Sequence, residues 1–240
     1  MSKVALVTGG TRGIGESISK KLQNDGYTVI ANYSSNDEKA KSFSSLTDIL
    51  SVKWDVSDHN SCLKEIKKIY EEYKSIDILV NNAGITRDAP LHKMPLENWK
   101  KVIDVNLNSI FNVTSLVINK MRENNFGRII HISSVNGQKG QFGQTNYSAT
   151  KSALLGFSKS LALESAAKGI TSNVICPGYI NTEMVAAIRE DILKGIIEGI
   201  PSKRLGESNE IAEMVSYLAS EKGNYINGST ISINGGLWMD

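Results

Sequence analysis

Short apolar runs alternate with helically patterned stretches along the whole chain. Residues 3–8, KVALVT, are a continuous Val-rich run, the pattern of a strand buried in a parallel sheet. A glycine turn follows, then GESISKKLQNDG, where Ile18 and Leu22 share one helical face and Gly26 marks the stop. The alternation recurs. Residues 27–33 (YTVIANY) predict a second strand, 52–56 (VKWDV) a third, 60–74 a helix and 76–80 (IDILV) a fourth strand. Residues 98–123 predict one long helix, with Val102, Ile110, Phe111, Thr114, Val117 and Met121 on its apolar face. A strand beginning at Ile129 leads through a loop holding Gly137, Gly140 and Gly143 into a helix that carries Tyr147 and Lys151. Residues 188–200, IREDILKGIIEGI, predict an amphipathic helix, read as part of a substrate lid at about residues 183–205.

Composition narrows the function classes. The chain has 240 residues and no Pro/Ser-rich linker or charge run, which implies a single domain over 1–240. Its 27 basic and 25 acidic residues leave a net charge of +2, too little for a nucleic-acid or polyanion binder, so the partner is expected to be a small molecule. Cys62 and Cys176 are lone thiols, and His59, His92 and His131 are scattered, so neither a disulfide framework nor a metal site is expected. No signal-like segment opens the chain, and no apolar stretch approaches the ~18 residues that span a membrane. These features predict a cytoplasmic protein without membrane partners.

The glycine turn, Gly9-Gly10-Thr11-Arg12-Gly13-Ile14-Gly15, links the first strand directly to the first helix. Missing β-carbons let a pyrophosphate approach backbone N–H groups at the positive end of a helix dipole. The opening therefore reads as nucleotide-binding. An NAD site would place an acid about 20 residues further on to hold the ribose 2′-OH. Here the second strand ends in Asn32, Tyr33 and Ser34. Arg12 can instead meet a 2′-phosphate, which favours NADP(H), although Asp37 and Glu38, better read as first-turn helix acids, stand close enough to reverse the preference. Asp55 suits either an adenine amino group or a turn. Asn82, Ala83 and Gly84 are small residues at a strand's carboxyl end, where a ribose can pack on backbone.

Tyr147 and Lys151 are four apart on a helix and share a face, and Ser134 ends the strand before it. Spacing alone proves little, because Ser57, Tyr70 and Lys74 repeat it. Nearly all residues between Ser57 and Tyr70 are helical in pattern, which at about 1.5 Å per residue separates those two by roughly 18–20 Å. The glycine-rich stretch before Tyr147 permits a return, so only the second set can converge. A free phenol titrates near pKa 10; a neighbouring ammonium is expected to lower it. Tyr147 then serves as proton donor to a carbonyl oxygen, Lys151 holds the nicotinamide ribose, and Ser134 hydrogen-bonds the substrate oxygen. Asn106, a poor helix former inside a helix, is a candidate to link Lys151 to solvent through water.

With TGGTRGIG, NNAG, Asn106, the Ser134/Tyr147/Lys151 set, Pro177-Gly178 and a closing Asn234-Gly235-Gly236, the chain resembles the short-chain dehydrogenase/reductase family along its whole length. That resemblance implies an α/β fold of Rossmann type, a doubly wound parallel sheet with helices on both faces, and commonly a homotetramer. It implies a catalytic tetrad of Asn106, Ser134, Tyr147 and Lys151. Cofactor contacts are implied at Gly9, Thr11, Arg12, Gly13, Ile14, Gly15, Ser34, Asp55, Val56, Asn82, Ala83 and Gly84, at Tyr147 and Lys151, and at Pro177, Gly178, Ile180 and Thr182 in the loop over the nicotinamide. NNAGITRDAPLHKM and SSVNGQKGQFGQTNYS narrow the resemblance to acetoacetyl-CoA reductases of polyhydroxyalkanoate synthesis, relatives of 3-oxoacyl-ACP reductases. Gln141, Phe142 and Gln144 would then face the acyl group, with Asp88 and Tyr179 at its rim. The implied reaction is NADPH-dependent reduction of a 3-oxoacyl thioester carried on CoA or, alternatively, on acyl-carrier protein. A sugar-nucleotide epimerase would need a larger substrate domain, and a non-catalytic nucleotide sensor would not need all four catalytic positions.

Overall fold

The computed structural model describes residues 2–186 and 188–239, with the Met184 side chain set aside. Met1, Ala187 and Asp240, which fall within the expected domain and lid, lie outside the described residues. Seven parallel strands form one sheet in the order β3-β2-β1-β4-β5-β6-β7. They are β1 (Val4–Val7), β2 (Thr28–Tyr33), β3 (Leu50–Lys53), β4 (Ile78–Asn81), β5 (Gly127–Ile132), β6 (Ile170–Pro177) and β7 (Thr230–Ile233). Every residue of β1, β4, β5 and β6 is buried, which is why β1 and the first three residues of β4 read as unbroken apolar runs, while β5 and β6 also bury Arg128, His131, Thr171, Ser172 and Asn173.

Helices α1 (Gly13–Asn24), α2 (Asp37–Thr47), α3 (His59–Tyr73), α4 (Leu96–Ile103), α5 (Ser109–Asn124), α6 (Val135–Lys139), α7 (Thr145–Ser165), α8 (Glu183–Ala186), α9 (Glu190–Gly199) and α10 (Ser208–Ala219) connect the strands. On one face of the sheet Ile18, Leu22, Phe43, Ile211 and Val215 join the strands in a single core. On the other face Ile66, Ile69, Val113, Val117 and Leu161 do the same. The expected α/β, doubly wound architecture is therefore present. Strand order reverses between β1 and β4, and there the connections leave on opposite faces and open a crevice at the carboxyl ends.

Four local expectations are corrected. The third strand ends at Lys53, not residue 56, because the Asp55 carboxylate accepts hydrogen bonds from the Ser57 amide (2.9 Å) and hydroxyl (2.6 Å) and turns the chain. The long helix runs from Leu96 to Asn124 but contains a π turn at Asp104–Asn108. Phe111, expected on its apolar face, is 59% exposed because it stands one position outside the stripe of Ile110, Val113 and Val117. The stretch after Ser134 is not wholly irregular either. Ser134 accepts the Asn136 N–H through its hydroxyl (3.1 Å) and caps α6.

Candidate active site

The glycine turn folds back on itself. Gly9 and Gly13 have φ of +62° and +53°, and a β-carbon on Gly15 would sit 2.1 Å from the Gly9 carbonyl oxygen. Side chains hold the back of the turn: the Asn82 amide donates to the carbonyls of Thr8 (2.9 Å) and Gly9 (3.1 Å), and Ser19 Oγ donates to Gly10. Asn32 Oδ1 accepts the Gly9 N–H at 3.3 Å. Thr11 is buried, Ile14 packs against the core, and Arg12 is exposed. Arg12 occupies the N-cap of α1 without a side-chain cap, so its first-turn N–H groups face outward as donors. Cradle and donors together fit the pyrophosphate of a dinucleotide.

Across the crevice, Thr8 Oγ1 accepts the N–H groups of Asn82 (3.0 Å) and Ala83 (3.1 Å), fastening the end of β4 to that of β1. A β-carbon on Gly84 would lie 3.4 Å from both Asn106 Oδ1 and Lys151 Nζ, so Gly84 leaves the space in which those groups meet the crevice. Asn106 is fully buried in the π turn. Its amide accepts from the Ile85 N–H (2.8 Å) and donates to the Ile85 carbonyl (2.9 Å), so both side-chain atoms pin the strand-exit loop. Asp55 is engaged by Ser57, as its turn reading expects, and Val56 is buried, its carbonyl accepting from Asn112 Nδ2 (3.1 Å). Ser34 lies exposed just past β2.

Ser134, Tyr147 and Lys151 come together. The Ser134 hydroxyl hydrogen-bonds to the Tyr147 side chain and pulls its pKa down, but burial outweighs that bond and the phenol stands above its ordinary value, with Asp88 adding to the rise. Lys151 Nζ lies 5.7 Å from the Tyr147 ring centroid and donates to the Ile132 carbonyl at the tip of β5 (2.8 Å). Burial brings its pKa down to about 8. This corrects the expectation that Lys151 depresses the phenol: both groups lose hydration in one buried space, and the Ser134 hydrogen bond is what favours phenolate. The other spacing match stays apart. Ser57 turns onto Asp55, Lys74 Nζ donates to the Glu71 carbonyl, and the buried Tyr70 hydroxyl has its pKa raised by desolvation.

The loop from Pro177 closes the crevice. A β-carbon on Gly178 would meet Asn234 Cα at 2.8 Å, and the Gly178 N–H donates to the Ile233 carbonyl (2.8 Å). Ile180 is buried, and Thr182 reaches the glycine turn, its Cγ2 lying 3.7 Å from where a Gly13 β-carbon would be. At the rim Gln144 Nε2 donates to Asp88 Oδ2 (2.7 Å), and Tyr179 is near enough to Tyr147 to influence its titration. Gln141 and Phe142, expected to face the acyl group, are exposed, Phe142 at 86%; Gly140 and Gly143, at φ of +74° and +79°, turn that loop tip outward.

A model of the family described as short chain dehydrogenase matches residues 3–193. The chain belongs to that family. It is 56% identical over 240 residues to the acetoacetyl-CoA reductase of Shinella zoogloeoides, and 56% over 241 residues to that of Paracoccus denitrificans, with all of both chains covered in each case. It is 40% identical over 244 residues, again across all of both chains, to the 3-oxoacyl-[acyl-carrier-protein] reductase FabG of Staphylococcus epidermidis. A short chain dehydrogenase with this site works with a nicotinamide cofactor.

Several side chains that position this dehydrogenase site were missed in the sequence. Asn146 is fully buried: its Oδ1 accepts the Tyr147 N–H (2.7 Å) and its Nδ2 donates to the Arg87 carbonyl (3.0 Å). Ser133 Oγ donates to the Lys151 carbonyl at 2.7 Å, and Asn136 Nδ2 to Gln144 Oε1 at 3.0 Å. Beneath the site His131 is wholly buried, accepting from Asn81 Nδ2 at Nδ1 and facing Ser172 Oγ at Nε2. Burial, with Lys151 nearby, lowers its pKa to about 3 and keeps it neutral. The only available signal was a run of polar residues flanking Ser134 and Tyr147 in an otherwise apolar setting. Among the described residues no group of three or more His, Cys, Asp or Glu can hold a metal, and no helix is long and apolar enough to cross a membrane.

Proposed function

We propose that this chain reduces the 3-oxo group of a 3-oxoacyl thioester, acetoacetyl-CoA first among them, with NADPH as the reductant. The observation that carries the reading is the convergence of the Ser134 hydroxyl, Tyr147 phenol and Lys151 ammonium beside a nucleotide-type glycine cradle. The Asn106 amide supports it by fixing the Ile85 backbone that borders the same crevice.

The roles follow from chemistry. The first-turn N–H groups of α1 and the glycines from Gly9 to Gly15 hold the pyrophosphate, with Arg12 toward a 2′-phosphate. Lys151 and Asn82, Ala83 and Gly84 border the ribose, and Pro177, Gly178, Ile180 and Thr182 cover the nicotinamide. When bound, the cofactor supplies a hydride to the β-carbon. Ser134 donates a hydrogen bond to the substrate oxygen as negative charge develops there. Tyr147, held protonated by its raised pKa, gives that oxygen its proton. Asp88, Gln144 and Tyr179 form the rim toward the thioester, and the exposed Gln141 and Phe142 offer an amide and a phenyl face to an arriving acyl chain.

The 40%-identical FabG relative supports an acyl-carrier-protein carrier as the second reading. Steady-state kcat/KM with acetoacetyl-CoA and acetoacetyl-ACP decides between them. The expected result is a preference for the CoA ester; a large preference for the ACP form overturns the carrier assignment. We further read the chain as a single-domain cytoplasmic homotetramer with a lid formed by α8 and α9. Cys62 and Cys176 are both buried and not joined in a disulfide, which suits a reducing compartment.

A further inference from the structure

No cation immediately follows β2, where Ser34, Ser35 and Asn36 stand exposed, but one stands a turn further on. Asn36 caps α2 by accepting the Lys39 N–H (2.9 Å), which fixes Lys39 in the first helical turn beside the end of β2. Its ammonium does not reach into solvent alone. It forms an ion pair with Glu183 Oε1, the first residue of α8 in the lid. Glu183 also feels the positive charge of Arg12, and Lys39 and Arg12 together hold its carboxyl below the usual range. The adjoining Thr182 meets the glycine turn at Gly13. Of the two acids in the first turn of α2, Asp37 is engaged by Lys53 (2.8 Å) and Glu38 is exposed. A lid carboxylate thus pairs with Lys39 and feels Arg12, the cation read above as meeting a 2′-phosphate.

We propose that Glu183 sets cofactor discrimination: its carboxylate holds Lys39 and faces Arg12 as an internal counter-ion that a 2′-phosphate must displace. The inference rests on the NADP reading given above and adds two residues to it. Lys39 becomes the partner that the phosphate gains, and Glu183 the competitor it removes. A cofactor without the 2′-phosphate leaves the pair untouched. Displacement also cuts the ion pair between α8 and α2, so that phosphate occupancy and the anchoring of the lid root are linked.

Binding measured by titration calorimetry on the full chain tests this without relying on turnover. The probes are NADPH, NADH, adenosine 2′,5′-bisphosphate and AMP. Glu183→Gln is expected to tighten NADPH and the bisphosphate by about threefold, the scale of an exposed ion pair, and to leave NADH and AMP unchanged. Lys39→Gln is expected to weaken the two phosphate-bearing probes alone. In the Lys39→Gln background the gain from Glu183→Gln should shrink, because the two residues act through one contact. Equal effects of Glu183→Gln on NADPH and NADH, or an undiminished gain without Lys39, overturn the proposal. Wild-type protein that binds NADH as tightly as NADPH removes the cofactor reading itself, a separate outcome that takes this inference with it.

Discussion

Tyr147 and Lys151 share one buried space, and their opposite titration shifts make the chemistry testable by pH. The phenol stays protonated through neutrality, so reduction should be flat there, while Lys151, at about 8, should lose its charge as pH rises past that value. In the reductive direction kcat/KM is therefore expected to fall above about pH 8, read from a pH profile of NADPH oxidation. Replacing the proton donor tests it directly. Tyr147→Phe should lower kcat by roughly 10²–10⁴-fold while NADPH still binds, measured by steady-state rate and nucleotide fluorescence; an unchanged rate removes Tyr147 as the acid. The same lysine predicts a stability trend. Its folded pKa lies below the ordinary 10.5, so between about 8 and 10.5 the unfolded chain binds more protons, and stability should rise with pH across that window. Urea midpoints should show the rise, and Lys151→Met should abolish it. At this scale the sequence was legible where chemistry needs a particular residue type, as at Ser134, Tyr147 and Lys151. It was opaque at Asn146, Ser133 and Lys39, whose importance comes only from what the fold sets beside them.

Among the elements, the π turn at Asp104–Asn108 does something that an unbroken α-helix would not. It seats Asn106 where one amide satisfies both backbone groups of Ile85, at 2.8 and 2.9 Å. Asn106→Ala leaves that N–H and carbonyl unpaired in a partly buried setting, about 1–3 kcal/mol for each group left unsatisfied. Lower thermal stability together with a reduced kcat is the expected outcome, seen by calorimetry and initial rates; a variant with wild-type values for both would show that Ile85 does not need the anchor. The first five strands were legible because apolar runs in a parallel sheet have few alternative readings; β6 and β7, ITSNVICP and TISI, were not, because polar residues interrupt them. The π turn was not, since its only sign in the sequence is an asparagine between Val105 and Leu107. The exposure of Phe111 has the same kind of cause, a phase difference of one residue that counting apolar positions does not resolve.

For the molecule as a whole, the parallel sheet gathers the ends of β1, β4, β5 and β6 into one crevice; the sequence placed a ligand at strand carboxyl ends through its glycine turn and NNAG, but the order of the strands came from the structure. What surrounds the chain was less so. Phe111 on α5 and Leu163 on α7 are 59% and 87% exposed on two of its longest helices, and the tetramer proposed above would have such residues to cover. Sedimentation equilibrium is expected to give four times the 26.2 kDa chain mass, and a persistent monomer would exclude the tetramer. The packing of α6 on α7 carries a consequence of another kind. A β-carbon on Gly137 would strike the Lys151 backbone and Cβ at 2.9 Å, while Asn146 locks the chain again just before Tyr147. Between these two rivets Gln138 is tied to Ser232 and the Gly143 carbonyl accepts the Ala89 N–H (2.8 Å), so the short tip 139–142 is what stands out at the surface. Exchange of that four-residue tip is expected to shift kcat/KM among acyl chains of different length while the proton-transfer apparatus keeps its alignment.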